Sequence, residues 1–137
     1  SFGLGNGGNL GHGDEGNQLT PKVIKALAGV TVRAVAAGCD HSLVLSEDGV
    51  VYSFGEGVYG KLGHGNEEGQ RTPKAIEALQ GVRVSSIAAG AQTSLAVAAS
   101  GVAYGWGYGE DERLGLGLTE DQLVPLQYPS EQVRVMA

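Results

Sequence analysis

The sequence holds one cysteine, one methionine and one tryptophan in 137 residues. No apolar run approaches the roughly 20 residues a membrane-spanning helix needs, and the N-terminus lacks the basic region and apolar stretch of a secretory leader. A lone Cys39 forms no disulfide within the chain and supplies no thiolate cluster to a metal. That usage suits a reducing compartment, so the expected location is intracellular, cytoplasmic or nuclear. Basic residues are scarce as well: 9 Lys and Arg stand against 15 Asp and Glu, a formal charge of -6. The phosphate backbone is repelled on average, so this segment is expected to bind neither nucleic acid directly nor a membrane.

Glycine is what the chain has in excess. Its 24 copies far exceed the ordinary share of about 7%, and with 42% hydrophobic and 18% charged residues they suit many short strands joined by tight turns. Val, Leu, Ile and Ala are spread evenly, which excludes a disordered chain.

Self-similarity organises the rest. Phe2, Phe54 and Trp106 are spaced by 52, as are Gly3, Gly55 and Gly107, Leu10, Leu62 and Leu114, and Pro21, Pro73 and Pro125. Ala36-Ala37-Gly38 returns as Ala88-Ala89-Gly90, and Ser42-Leu43 as Ser94-Leu95. The units run over about 1–52, 53–104 and 105–137, the last incomplete and one residue shorter around 128–132. Within a unit, four β-capable runs are separated by turn signals. Ser42 to Ser46, the Asp48-Gly49 turn and Val50 to Phe54 read as a hairpin; Pro73 to Leu79 and Val82 to Ala88 supply the others. Lys22 to Leu27 fits a helical turn by period, but its leading proline and its shortness favour an extended segment.

Four strands per unit in tandem is the pattern of a propeller blade. The fold expected is all-β, a β-propeller fragment of about two and a half four-stranded blades, with residues 1–137 forming part of one domain. Too few units are present to close a ring, which needs about four to eight blades, so the chain is expected to be part of a longer one. Phe2, Phe54 and Trp106 are expected as wedges between sheets. Gly38 and Gly90 are expected to allow close backbone approach or a positive φ near the crowded axis.

Several motifs tempt a catalytic reading. Gly3 to Gly8 and Gly55 to Gly60 satisfy a dinucleotide-loop pattern, but each runs into further turns instead of opening a helix that would hold a pyrophosphate. His12 and His64 are equivalent, and the third unit places Leu116 there, which is not how a metal ligand behaves. His41, between Asp40 and Ser42, is expected as a hydrogen-bonded polar group at a blade edge or turn, because a triad is set by spatial geometry and not by adjacency. No catalytic residue, metal or cofactor is therefore expected, and the chain is not expected to be an enzyme. The acidic loop residues Asp14, Glu15, Glu67, Glu68, Glu110, Asp111 and Glu112 are the candidate partner-binding set. Ordinary loop charge explains them singly; stacked blades would gather equivalent loops on one rim, where an acidic strip suits a basic partner.

The strings Gly49-Val50-Val51-Tyr52-Ser53-Phe54-Gly55, Tyr59-Gly60-Lys61-Leu62-Gly63-His64-Gly65, Thr72-Pro73 and Ile87-Ala88-Ala89-Gly90 resemble the regulator of chromosome condensation repeat family across essentially the whole chain. Cys39-Asp40-His41-Ser42-Leu43 is similar to that family's Gly-x-x-His-Ser-Leu step. Departures are Phe54-Gly55 for the usual Trp-Gly, Gly60-Lys61 for Gly-Gln, and Thr93-Ser94 for His-Ser. The kelch repeat, of similar period, matches less well. The resemblance implies a seven-bladed propeller, of which this chain is under half, and an interaction scaffold with other proteins as partners. It leaves open guanine-nucleotide exchange on a Ran-like small GTPase, which in the founding member depends on an inserted loop absent from this segment. It also leaves open a recognition module within a larger assembly, such as a HECT-type ubiquitin ligase. Ultraviolet sensing, which in a plant member uses clustered tryptophans, is disfavoured by a single Trp.

Overall fold

The computed structural model describes residues 1–109 and 120–129. Eight strands form two four-stranded antiparallel sheets, each a meander in chain order. The first contains β1 (Val32–Ala37), β2 (His41–Ser46), β3 (Val51–Gly55) and β4 (Gln70–Ala75). The second contains β5 (Val84–Ala89), β6 (Thr93–Ala98), β7 (Ala103–Gly107) and β8 (Gln122–Gln127). Register repeats with the sequence: Ser42 pairs with Phe54 as Ser94 pairs with Trp106. The irregularity after Val32 in the first sheet returns after Val84 in the second. These are two successive blades of a β-propeller, and each sheet straddles a boundary between sequence units.

The hairpin expected at Asp48-Gly49 forms between β2 and β3, with Gly49 at φ 84, a left-handed conformation that a side chain disfavours. Pro73 and Pro125 sit in β4 and β8, the last strand of each sheet, where a residue without an N–H blunts an edge that another chain could extend.

The core lies in the seam between the blades. Leu43, Leu45 and Val51 of the first sheet meet Val84, Ala96 and Trp106 of the second, with Ile76 and Leu79 from the linking segment closing the cluster. Each fully buried Leu or Ile contributes roughly 1.5–3 kcal/mol. The loop between β3 and β4 laps onto the next blade: Gly65 donates its amide to the Leu123 carbonyl (2.9 Å), and a Cβ on Gly63 would lie 2.8 Å from Trp106 Nε1. The N-terminal loop treats the first blade alike, with Gly13 donating to the Arg71 carbonyl and Gly11 facing the Phe54 ring.

Four expectations change. Lys25–Leu27 is a 3-10 turn, and so is Glu77–Leu79, where a strand running to Leu79 was expected. The turn bonds Leu79 back to Ile76 and rolls both side chains into the seam, which an extended run would point to opposite sides. His41 is not at an edge but buried between the blades. Gly38, by contrast, serves the close approach expected of it, since a Cβ there would strike the His41 ring and the Gly90 carbonyl. Phe54 and Trp106 are buried wedges, whereas Phe2 is 62% exposed.

Candidate functional site

One end of the sheets carries the β1–β2 turn, the β3–β4 loop and their equivalents. Backbone bonds tie these segments together: Glu56 donates to the Asp40 carbonyl (2.9 Å) and Tyr108 to the Gln92 carbonyl (3.0 Å). The N-terminal loop joins the same end, where Gly7 packs beside Glu56 and Glu15 lies 3.7 Å from Arg71. Asp14, Glu15, Glu67 and Glu68 are therefore gathered on one face, and all four are exposed. Glu110, Asp111 and Glu112 lie outside the described residues. The fold adds Asp40, Glu56, Glu120 and Asp121 to this end, none of which the sequence singled out because they belong to turns of different strands.

Local hydrogen bonds hold these loops. Asp14 Oδ1 accepts the Gly16 amide (3.1 Å), its equivalent Asn66 Oδ1 accepts the Glu68 amide (3.0 Å), and Glu67 Oε1 accepts the Tyr59 amide (2.9 Å). Among the described residues the basic groups at this end are Arg71, paired with Glu15, and Lys61, which is buried.

Lys61 belongs to a polar chain that crosses the seam. Its ammonium donates to Gln92 Oε1 (2.7 Å) and lies 3.5 Å from Glu56 Oε1. The Ser94 hydroxyl donates to the Lys61 carbonyl (2.7 Å), which commits its only proton, so His41 must donate from Nε2 to Ser94 Oγ at 2.9 Å. Burial, then the nearby Lys61 charge, lowers the His41 pKa to about 4, so the ring is neutral at pH 7. With its Nε2 proton engaged by Ser94, the neutral ring links the two blades. Lys61 was missed in the sequence because a lysine between Gly60 and Leu62 reads as surface.

A second pair explains the other histidines. Ser53 Oγ donates to the Leu62 carbonyl (2.6 Å) and accepts from His64 Nε2 (2.8 Å). Ser1 and His12 repeat this, with Ser1 Oγ donating to Leu10. In the third unit Gly105 and Leu116 stand at the two positions, so serine and histidine are lost together. The Tyr128 hydroxyl would lie 2.6 Å from a Cβ on Gly105. The shared replacement is legible in the sequence only once the two positions are known to touch.

Tyr59 is the one non-glycine residue with positive φ (65) among those described. That conformation costs about 1–2 kcal/mol. Its ring packs against Tyr108 with centroids 4.5 Å apart and planes at 59°, a contact worth about 0.5–1.5 kcal/mol beyond buried area. The two terms nearly cancel.

Comparison with known proteins accords with this architecture. The Regulator of chromosome condensation (RCC1) repeat matches residues 1–45, 48–97 and 100–137. The chain is 44% identical over 126 residues to the ultraviolet-B receptor UVR8 of Arabidopsis thaliana, covering 91% of this chain and 29% of that protein. It is 48% identical over 119 residues to the E3 ubiquitin-protein ligase HERC2 of Homo sapiens, covering 85% and 2%. Prp20p from Saccharomyces cerevisiae, whose structure was described with its binding to Gsp1p and histones, superposes with a TM-score of 0.77 at 29% identity, covering 96% of this chain and 34% of that one. Yeast RCC1 (Prp20) bound to Kap60 gives 0.78 at 30% identity, covering 96% and 33%. The chain thus spans about a third of these structures and less than a third of either relative.

Proposed function

The chain belongs to the regulator of chromosome condensation repeat family, and on that premise we propose that it is a protein-interaction scaffold whose acidic loop face receives a basic segment of a partner protein. One observation supports the reading: carboxylates from separate loops lie at one end of the sheets, while among the described residues the basic groups there are already paired or buried. A face of one sign steers an oppositely charged partner and sets its orientation more than it adds raw affinity. Histones, named with Prp20p, are partners of this chemical class. Inside a longer protein the same face serves as a recognition element, and the chain itself contributes binding and not chemistry.

Replacing Asp14, Glu15, Glu67 and Glu68 by Lys tests this. Titration with a mixed core-histone preparation is expected to show weakened association and a flattened salt dependence. Reversal of Glu47 and Asp48, in the hairpin at the opposite end, is expected to change neither. Equal binding by both variants and the parent would sink the reading.

A further inference from the structure

Gly7 and Tyr59 are 52 apart and occupy the same slot of the same turn, at φ 63 and φ 65. Their neighbours are equivalent as well. Gly7 packs beside Glu56, Tyr59 lies against Tyr108, and Glu56 and Tyr108 are the residues whose amides tie the loop face to the preceding turns. One slot of the face is thus Gly with Glu, and the next is Tyr with Tyr. The backbone favours glycine in both, and the ring contact barely offsets the strain of departing from it. Strain retained against a local preference is informative where the side chain meets a ligand.

We propose that Tyr59 and Tyr108 form an aromatic receptor for an arginine or lysine side chain of the basic partner, a proposal that rests on the acidic-face reading above. Both rings are half-buried, so each is held by the fold while part of its surface meets solvent. The face of an aromatic ring is electron-rich and attracts a cation within about 6 Å of its centroid. Two rings tilted at 59° offer such a cation a corner instead of a flat wall. The carboxylate of Glu67, bonded to Tyr59's own amide, lies in the same loop and adds attraction of the same sign. Arginine fits better than lysine, because its planar guanidinium stacks while its edges still donate to carboxylates.

The probes are a fluorescein-labelled peptide of alternating Arg and Gly and a matched peptide with citrulline for Arg, followed by anisotropy. The parent protein is expected to prefer the arginine peptide. Tyr59→Asn, whose replacement tolerates the left-handed backbone, and Tyr108→Leu are each expected to bind it about fivefold more weakly, in line with an exposed cation–π contact. Tyr59→Phe is expected to bind like the parent, since the ring and not the hydroxyl holds the cation. The urea midpoint of Tyr59→Asn is expected to match the parent's. Unchanged binding by Tyr59→Asn and Tyr108→Leu overturns the receptor, and so does a clearly lowered midpoint for Tyr59→Asn, which would make the ring a packing element. If the acidic-face reversal weakens peptide binding while the ring variants do not, the receptor fails and the acidic face stands. A parent protein that binds neither peptide overturns both.

Discussion

The imidazole of His41 in the first blade donates to the hydroxyl of Ser94 in the second, 53 residues away, and so joins two sheets that share no strand. The bond requires a neutral ring. The His41 pKa is lowered to about 4, against 6.5 in the unfolded chain. Between those values the unfolded state binds the proton and the folded state does not, so stability present above pH 6.5 is lost as pH falls toward 4. Urea unfolding is expected to show about 2 kcal/mol less stability at pH 5 than at pH 7 from this group. His41→Gln, which keeps a donor but cannot titrate, is expected to flatten that part of the profile; an unchanged slope would argue against it.

Lys61 tunes the same transition. Its charge is the second cause of the low His41 pKa, so Lys61→Met is expected to raise that pKa toward 6.5 and thereby to reduce the stability lost as pH falls from 6.5 toward 4. At pH 7 the apolar replacement should be near neutral, because removing a buried charge removes its desolvation penalty along with its partners. Glu56→Ala, which leaves the ammonium with Gln92 alone, is expected to lower stability by about 1 kcal/mol at pH 7.

Gly63 shows how the loop clasp depends on a missing side chain. Its φ is 81, and a methyl group on its Cα would stand 2.8 Å from Trp106 Nε1, so Gly63→Ala combines backbone strain with overpacking. A loss of about 3 kcal/mol is expected in chemical denaturation. Gly29→Ala, at φ 82 but with open space around it, isolates the backbone term and should cost about half as much or less.

Pro73 and Pro125 guard the outer edges. Pro73→Val with Pro125→Val is expected to leave the unfolding midpoint nearly unchanged but to hasten concentration-dependent aggregation, read by light scattering at fixed protein concentration. Aggregation no faster than the parent's would mean that the edges are protected by something else.

Much of the fold was legible because every blade must bury the same faces. A residue required by that packing recurs at 52, as Phe54 and Trp106 do, and one that is not required drifts. The 3-10 turns at Lys25–Leu27 and Glu77–Leu79 were harder to read, since a three-residue turn and a short strand leave nearly the same apolar pattern. Of the candidate site, the equivalence of the loops that carry Asp14, Glu15, Glu67 and Glu68 was readable from the period. Asp40, Glu56, Glu120 and Asp121 were not, because their shared location comes from strand ends that only the antiparallel sheets bring together.

The period of 52 by itself determined the repeat, the four-stranded unit and the hairpin turn at Asp48-Gly49, because hydrophobic periodicity and glycine requirements are local and are written in each unit. Tertiary structure alone decided that Lys61 is buried, that His41 bonds Ser94, and that Tyr59 meets Tyr108. Those facts concern what one blade offers the next. A seam is shaped by two segments far apart in the chain, so neither segment carries the signal alone.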